Sequence, residues 1–210
     1  MRYKLAIFDF DGTLADSVGW FIPVLNELAP RHGFRSVSAA EIEDLRHCDN
    51  REIMRRLGVP LWKLPRIADD VRARMARDAD QIRLFDGMAA LLDTLHRARI
   101  VCAIVSSNAE ANVRKILGPE GIAAVTHFDC GASLFGKDKK FRRTIKRAGV
   151  PPDQTICIGD EQRDVEAAHS AGAASGIVTW GYASPSLLAR CGATLTFEKP
   201  QDIARALLPA

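Results

Sequence analysis

Near the N-terminus two aspartates stand one residue apart and run directly into a glycine and a threonine, Asp9-Phe10-Asp11-Gly12-Thr13. Carboxylates so close suit a division of labour, one serving as nucleophile and the other as acid and base. In an extended chain residues i and i+2 share a face, and Gly12 lets the backbone approach a ligand closely. The same residues also describe a turn with two solvated acids, so their position decides between the readings. The apolar run at residues 3–8 leads straight into them. That places both acids at the carboxyl end of a buried strand, where open α/β sheets bind ligands.

Similar junctions recur along the chain. The apolar run at residues 100–105 ends in Ser106-Ser107-Asn108, with a helix starting near Ala109. Hydroxyls and unpaired amides at a helix start form an anion site, or a plain Ser/Asn cap. Gly136-Lys137 opens another helical stretch, where an ammonium group can neutralise a phosphate or simply sit in solvent; Lys139 and Lys140 are nearby decoys. After the run at residues 155–158 come Gly159-Asp160-Glu161, with Asp164 beyond. So much negative charge at one sheet edge needs a cation. Mg2+ suits it, taking one or two carboxylates, waters and phosphate oxygens. Zinc is disfavoured, because the histidines and cysteines show no ligand-like spacing.

The elements that must position these groups are short apolar runs bounded by turn residues, at 3–8, 100–105, 125–128, 155–158 and 176–178, which read as buried parallel strands. Helical spacing separates most of them: Met88, Leu91, Leu92 and Leu95; Val113, Ile116 and Leu117; Phe141, Ile145 and Ala148. Alternation of this kind predicts an α/β fold with a doubly wound, Rossmann-like parallel sheet. Residues 15–85 break it, showing only helical patterns, so the core is assigned to 1–14 and 86–210 and an inserted helical subdomain to 15–85. Within the insertion, Arg72 to Arg77 read as a solvated helix face.

Composition narrows the class further. A chain of 210 residues, 47% hydrophobic, is long enough for one core and a smaller insertion. Basic and acidic residues nearly cancel, 29 against 26, with no basic block to track a phosphate backbone, so no nucleic-acid partner is expected. The first apolar run is too short for a signal peptide or a membrane span. A cytoplasmic location without membrane attachment is therefore expected, as a monomer or small homo-oligomer. Five cysteines without a CxxC pair read as reduced thiols, buried at Cys102, Cys130 and Cys157.

Four elements in one order, DxDGT, SSN, FGK and IGDEQRD, resemble the haloacid dehalogenase superfamily of aspartate-nucleophile phosphohydrolases. The closest likeness is to its phosphoglycolate-phosphatase-like members, in which an α-helical cap is inserted between the first two motifs. It covers essentially the whole chain, including VTWGY at residues 178–182. The resemblance implies Mg2+-dependent hydrolysis of a small phosphorylated metabolite through an aspartyl-phosphate. It makes Asp9 the nucleophile and Asp11 the acid that protonates the leaving group and later activates water. Ser106, with Ser107, Asn108 and Gly12, would bind the phosphoryl group, and Lys137 would bridge phosphate and nucleophile. Asp9, the Asp11 carbonyl and Asp160 would hold Mg2+, with Thr13, Glu161 and Asp164 supporting them. Ser106 is preferred over Ser107 for the hydroxyl because it directly follows the apolar run.

In the cap, His47 stands where related sequences often carry glycine, which makes Arg46 and His47 candidates for contacting the leaving group. A phosphomutase would use the same core. A 2-haloacid dehalogenase needs neither Asp11 nor Asp160, and a non-catalytic receiver of Mg2+ and phosphate leaves the insertion unexplained.

Overall fold

The computed structural model describes residues 3–131 and 136–208. Its parallel strands are β1 (Leu5–Phe8), β4 (Val101–Val105), β5 (His127–Asp129), β6 (Thr155–Gly159), β7 (Ala174–Val178) and β8 (Leu195–Phe197). Among the described residues they form one sheet in the order β5-β4-β1-β6-β7-β8. Chain order therefore reverses beside β1, which pairs with β4 on one side and β6 on the other. Such a switch point opens a crevice at the carboxyl ends of the strands. The register brings those ends level, with Phe8 opposite both Ile104 and Ile158.

Both faces of the sheet are covered, which explains why the strands read as continuous apolar runs. Ala6, Phe8, Cys102, Ile104, Ile156 and Ile158 pack on one side with α5 (Met88–Arg97), α6 (Glu110–Ala124) and α10 (Pro200–Leu207). Leu5, Ile7, Ala103, Val105 and Cys157 face the other way, onto α7 (Lys137–Ala148) and α8 (Gln162–Ser170). The alternation along each strand is the period-two geometry of the pleat. α6 is broken at Gly118 (φ 68°, ψ 176°) ahead of Pro119, since proline removes a helical donor and displaces the preceding turn. Cys102 and Cys157 are buried as expected, while Cys130 is only half-buried.

Between β1 and α5 the chain forms β2 (Ala15–Asp16), helices α1 (Val18–His32), α2 (Ala39–Arg46), α3 (Asn50–Arg56) and α4 (Leu64–Asp78), and β3 (Arg83–Leu84). β2 and β3 pair antiparallel, Ala15 opposite Leu84, so the outgoing and returning chains cross side by side. These helices enclose small apolar clusters of their own, one around Ala29, Phe34 and Ile67 and another around Val37, Leu45 and Leu57. No helix among the described residues is long and apolar enough to cross a membrane. The remaining short helix, α9 (Pro185–Leu188), follows β7.

Candidate active site

Asp9 is the first residue beyond β1, and its amide still donates to the Ile158 carbonyl at 2.8 Å. The chain then turns tightly: the amides of Leu14 and Ala15 both donate to the Phe10 carbonyl at 2.9 Å. Gly12 sits in this turn at φ 76°, and a Cβ there would fall inside the Asp160 carboxylate and the Tyr182 ring. Both backbone conformation and space thus require glycine. Phe10 turns into the core, fully buried, which leaves Asp9 and Asp11 on the rim.

Lys137, the first residue of α7, reaches Asp9 Oδ2 at 2.6 Å and Asp164 Oδ1 at 2.5 Å. Burial works against its charge, but Asp164 and Asp9 outweigh it and push the lysine pKa up. Asp164 caps α8, its Oδ2 accepting from the amides of Asp160 (3.1 Å) and Glu161 (3.0 Å). Burial opposes its ionised form too, yet Lys137 and Arg163 hold its carboxyl below the ordinary range. Asp160 is completely buried. It accepts from the Thr13 hydroxyl at 2.9 Å and the Tyr182 amide at 2.8 Å.

Burial pushes the pKa of Asp9 up, partly opposed by Lys137. Asp160 is raised well above the usual range by burial and by Glu161, Asp164 and Asp9. Asp11 is pushed up to about 6, chiefly by burial and then by the Asp9 charge. Its Oδ2 accepts from Asn108 Nδ2 at 3.1 Å, whereas Oδ1 is buried without a hydrogen-bond partner. Asp9, Asp160 and Asp164 each offer an oxygen within 4.8 Å of the others. Each of the three already has partners on both oxygens: Asp9 the Phe10 amide at 2.7 Å and Lys137, Asp160 Thr13 and the Tyr182 amide, and Asp164 Lys137 and two amides. An all-oxygen set with excess buried negative charge fits a hard divalent cation such as Mg2+, and burial of carboxylates without a cation is strongly unfavourable.

Ser106 is the first residue beyond β4 and is 2% exposed. Its Oγ accepts the Asn108 amide at 3.0 Å, and Ala109 N donates to the Asn108 side chain at 2.8 Å. Ser106 N donates to the Asp129 carbonyl at 3.3 Å. The Ser107 amide has no partner among the described residues, so this turn leaves one donor open, as anion sites do. The Ser106 hydroxyl proton is likewise not committed to the Asn108 contact. Phe135 of the FGK triplet lies outside the described residues.

The structure brings Asp9, Asp11, Gly12, Thr13, Ser106, Ser107, Asn108, Lys137, Asp160, Glu161 and Asp164 to one sheet edge. Arg46 and His47 reach the same edge but engage the loop after β7. Arg46 Nε donates to the Tyr182 carbonyl at 3.1 Å, and His47 Nδ1 lies 2.8 Å from Ser184 Oγ and 2.9 Å from Ser186 Oγ. Asn50 donates to Glu161 Oε2 at 3.0 Å. Arg72 departs from its expected solvated role: its side chain is 16% exposed and donates to the Ser107 carbonyl at 3.4 Å.

Sequence reasoning gave no role to Tyr182, whose amide fixes Asp160 and whose hydroxyl lies 3.0 Å from Ser17 Oγ. It also overlooked Arg163, an ion partner of Glu161. The usable signal was a Gly-Tyr pair at residues 181–182, in the loop that follows the apolar strand ending at Val178, a place where loops reach the ligand edge.

The doubly wound sheet thus carries an Asp9/Asp11 pair, a lysine and further aspartates at its switch point. The model of the haloacid dehalogenase-like hydrolases matches residues 6–178. The chain belongs to that family, and it is a phosphatase-type member. It is 32% identical over 203 residues to the phosphoglycolate phosphatase of Synechococcus elongatus, spanning 96% of this chain and 95% of that one. Among solved structures it resembles a haloacid dehalogenase-like family protein, SP0104, of Streptococcus pneumoniae, with TM-score 0.81, 18% identity and 99% of each chain covered. CbbY of Rhodobacter sphaeroides in complex with phosphate also superposes, with TM-score 0.75, 20% identity and 96% of each chain covered.

Proposed function

We propose that this chain is a Mg2+-dependent phosphomonoester hydrolase that works through a phosphorylated Asp9. The observation that carries the reading is the contrast between the partners of neighbouring carboxyls: Asp9 has the Lys137 ammonium on its oxygen at 2.6 Å, while Asp11 has the neutral Asn108 amide at 3.1 Å and no ion pair among the described residues. Paired carboxyls in unlike surroundings are the arrangement that separates a nucleophile from a general acid.

Mg2+ held by Asp9, Asp160 and the Asp11 carbonyl would supply positive charge to the transferring group and keep Asp9 ionised. An Asp9 oxygen attacks phosphorus, and the ester oxygen departs with the proton of Asp11, leaving an alcohol and an acyl phosphate on Asp9. Water then attacks the same phosphorus, giving its proton to Asp11 and releasing inorganic phosphate. Lys137, the Ser106 hydroxyl and the Ser107 amide balance charge on the phosphoryl oxygens, which is most of what such a transfer asks of a protein. Asn108 orients Asp11.

Residues 15–85 act in this reading as a cap hinged at the β2–β3 crossing. The Arg46, His47, Asn50 and Arg72 contacts hold it over the site and exclude water. A covered site of this kind suits a small ester. The S. elongatus relative makes phosphoglycolate the first substrate to try.

Phosphate release from phosphoglycolate and from an aryl phosphate, with and without Mg2+, tests the proposal using wild type beside Asp9→Asn. Mg2+-dependent turnover that vanishes in the variant supports it. Equal turnover by both proteins rules Asp9 out as nucleophile.

A further inference from the structure

Lys140 carries an ammonium group that the chemistry above does not use. It lies one turn beyond Lys137 on α7, on the same face, yet only 8% of it is exposed. No ion pair among the described residues engages it. The Asp129 carboxylate is taken by Arg143 at 2.6 and 2.7 Å. Lys140 Nζ donates instead to backbone carbonyls: Ser106 at 2.8 Å, Gly131 at 2.8 Å and Asp129 at 3.4 Å. Three donors thus meet three acceptors. Burial pulls the lysine pKa below its ordinary value, so the charge is kept there against a desolvation penalty.

The Ser106 carbonyl belongs to the peptide unit whose N–H is that of Ser107. No peptide bond among the described residues is cis, so this N–H points opposite to the carbonyl. With the oxygen drawn down onto Lys140, the amide is directed away from the lysine. It is also the amide that the turn leaves unpaired. A cation on the carbonyl polarises the unit and strengthens its N–H as a donor. The two loops lining this edge are tied together at the same point, Gly131 N donating to the Asn108 carbonyl at 2.6 Å.

We infer that Lys140 is a positioning residue for phosphoryl binding, fixing and polarising the Ser106–Ser107 peptide so that its amide faces the phosphate. This goes deeper into the proposed phosphatase site and depends on that reading for its kinetic arm. Its binding arm stands apart.

Inorganic phosphate binding in Mg2+ is measured by calorimetry for wild type, Lys140→Met, Lys140→Gln and the exposed control Lys139→Met, followed by kcat and KM on an aryl phosphate. Lys140→Met is expected to weaken phosphate binding about tenfold to a hundredfold, less than the roughly 10²–10³ for removing an oriented oxyanion donor outright because the amide itself remains, with a matching fall in kcat/KM. Its Mg2+ activation constant should stay at the wild-type value, and Lys139→Met should match wild type throughout. Lys140→Gln keeps a donor without the charge and should fall between. A folded Lys140→Met that binds phosphate within twofold of wild type overturns the inference. If that variant fails to fold, wild-type affinity in Lys140→Gln does the same. A wild type that binds phosphate but hydrolyses no ester defeats the phosphatase reading alone; one that binds no phosphate overturns this inference too.

Discussion

Asp11→Asn should make the metal-free protein more stable at neutral pH while removing its acid. In the fold Asp11 titrates at about 6, against 3.8 for the ordinary carboxyl. A raised pKa means that the fold prefers the protonated form. This contribution is fully present below 3.8 and is lost as pH rises through about 6. At 1.36 kcal/mol per unit the full loss is ~3 kcal/mol, of which roughly 2 kcal/mol falls between about pH 4.5 and about pH 8. Asparagine carries no such charge. Its amide nitrogen placed at the Oδ1 position would lack a partner, as Oδ1 does now, an offset of about 1–3 kcal/mol that does not vary with pH. Urea denaturation in excess chelator, at both pH values, isolates the titrating part. The stability of the variant relative to wild type should rise by roughly 2 kcal/mol from the lower to the higher pH. A difference that stays constant with pH refutes the reasoning, because Asp11 would then not be held protonated by its surroundings.

Three more outcomes follow from the same geometry. Asp11→Asn should depress kcat/KM on alkyl phosphates by about 10²–10⁴, the usual worth of general acid catalysis, but much less on aryl phosphates whose leaving group needs no proton; an equal loss on both removes the acid role. Lys137→Met, which strips the cation from Asp9 and Asp164, should lower kcat/KM by on the order of 10²–10³, measured at saturating Mg2+. Gly12→Ala, forced into a left-handed φ with its Cβ against Asp160 and Tyr182, should raise the Mg2+ concentration needed for half-maximal activity; an unchanged value would mean that the loop adapts.

The doubly wound sheet was legible because strands buried on both faces are written as unbroken apolar runs, as at Leu5–Phe8 and Thr155–Gly159. Leu195–Phe197 was not, because it is an edge strand with only Phe197 buried. β2 and β3 were also missed, being two residues each and existing only through their mutual pairing. The aspartates and Lys137 announced themselves through their place after strands. Tyr182 escaped because it fixes Asp160 by its backbone amide, which no residue type reveals. Arg72 and Lys140 escaped for a related reason. Each uses its charge on main-chain carbonyls, contacts that appear only once the loops are folded together.

In the proposed reaction the phosphoryl group rests on Asp9. The most direct test is rapid acid quench of the enzyme turning over an aryl phosphate in Mg2+, followed by peptide mass spectrometry, with Asp11→Asn included to slow the water step. One added phosphoryl group is expected on the peptide containing Asp9, accumulating in Asp11→Asn and absent from Asp9→Asn. Turnover with no phosphorylated peptide in either enzyme, or with the group on another residue, would contradict the proposed reaction.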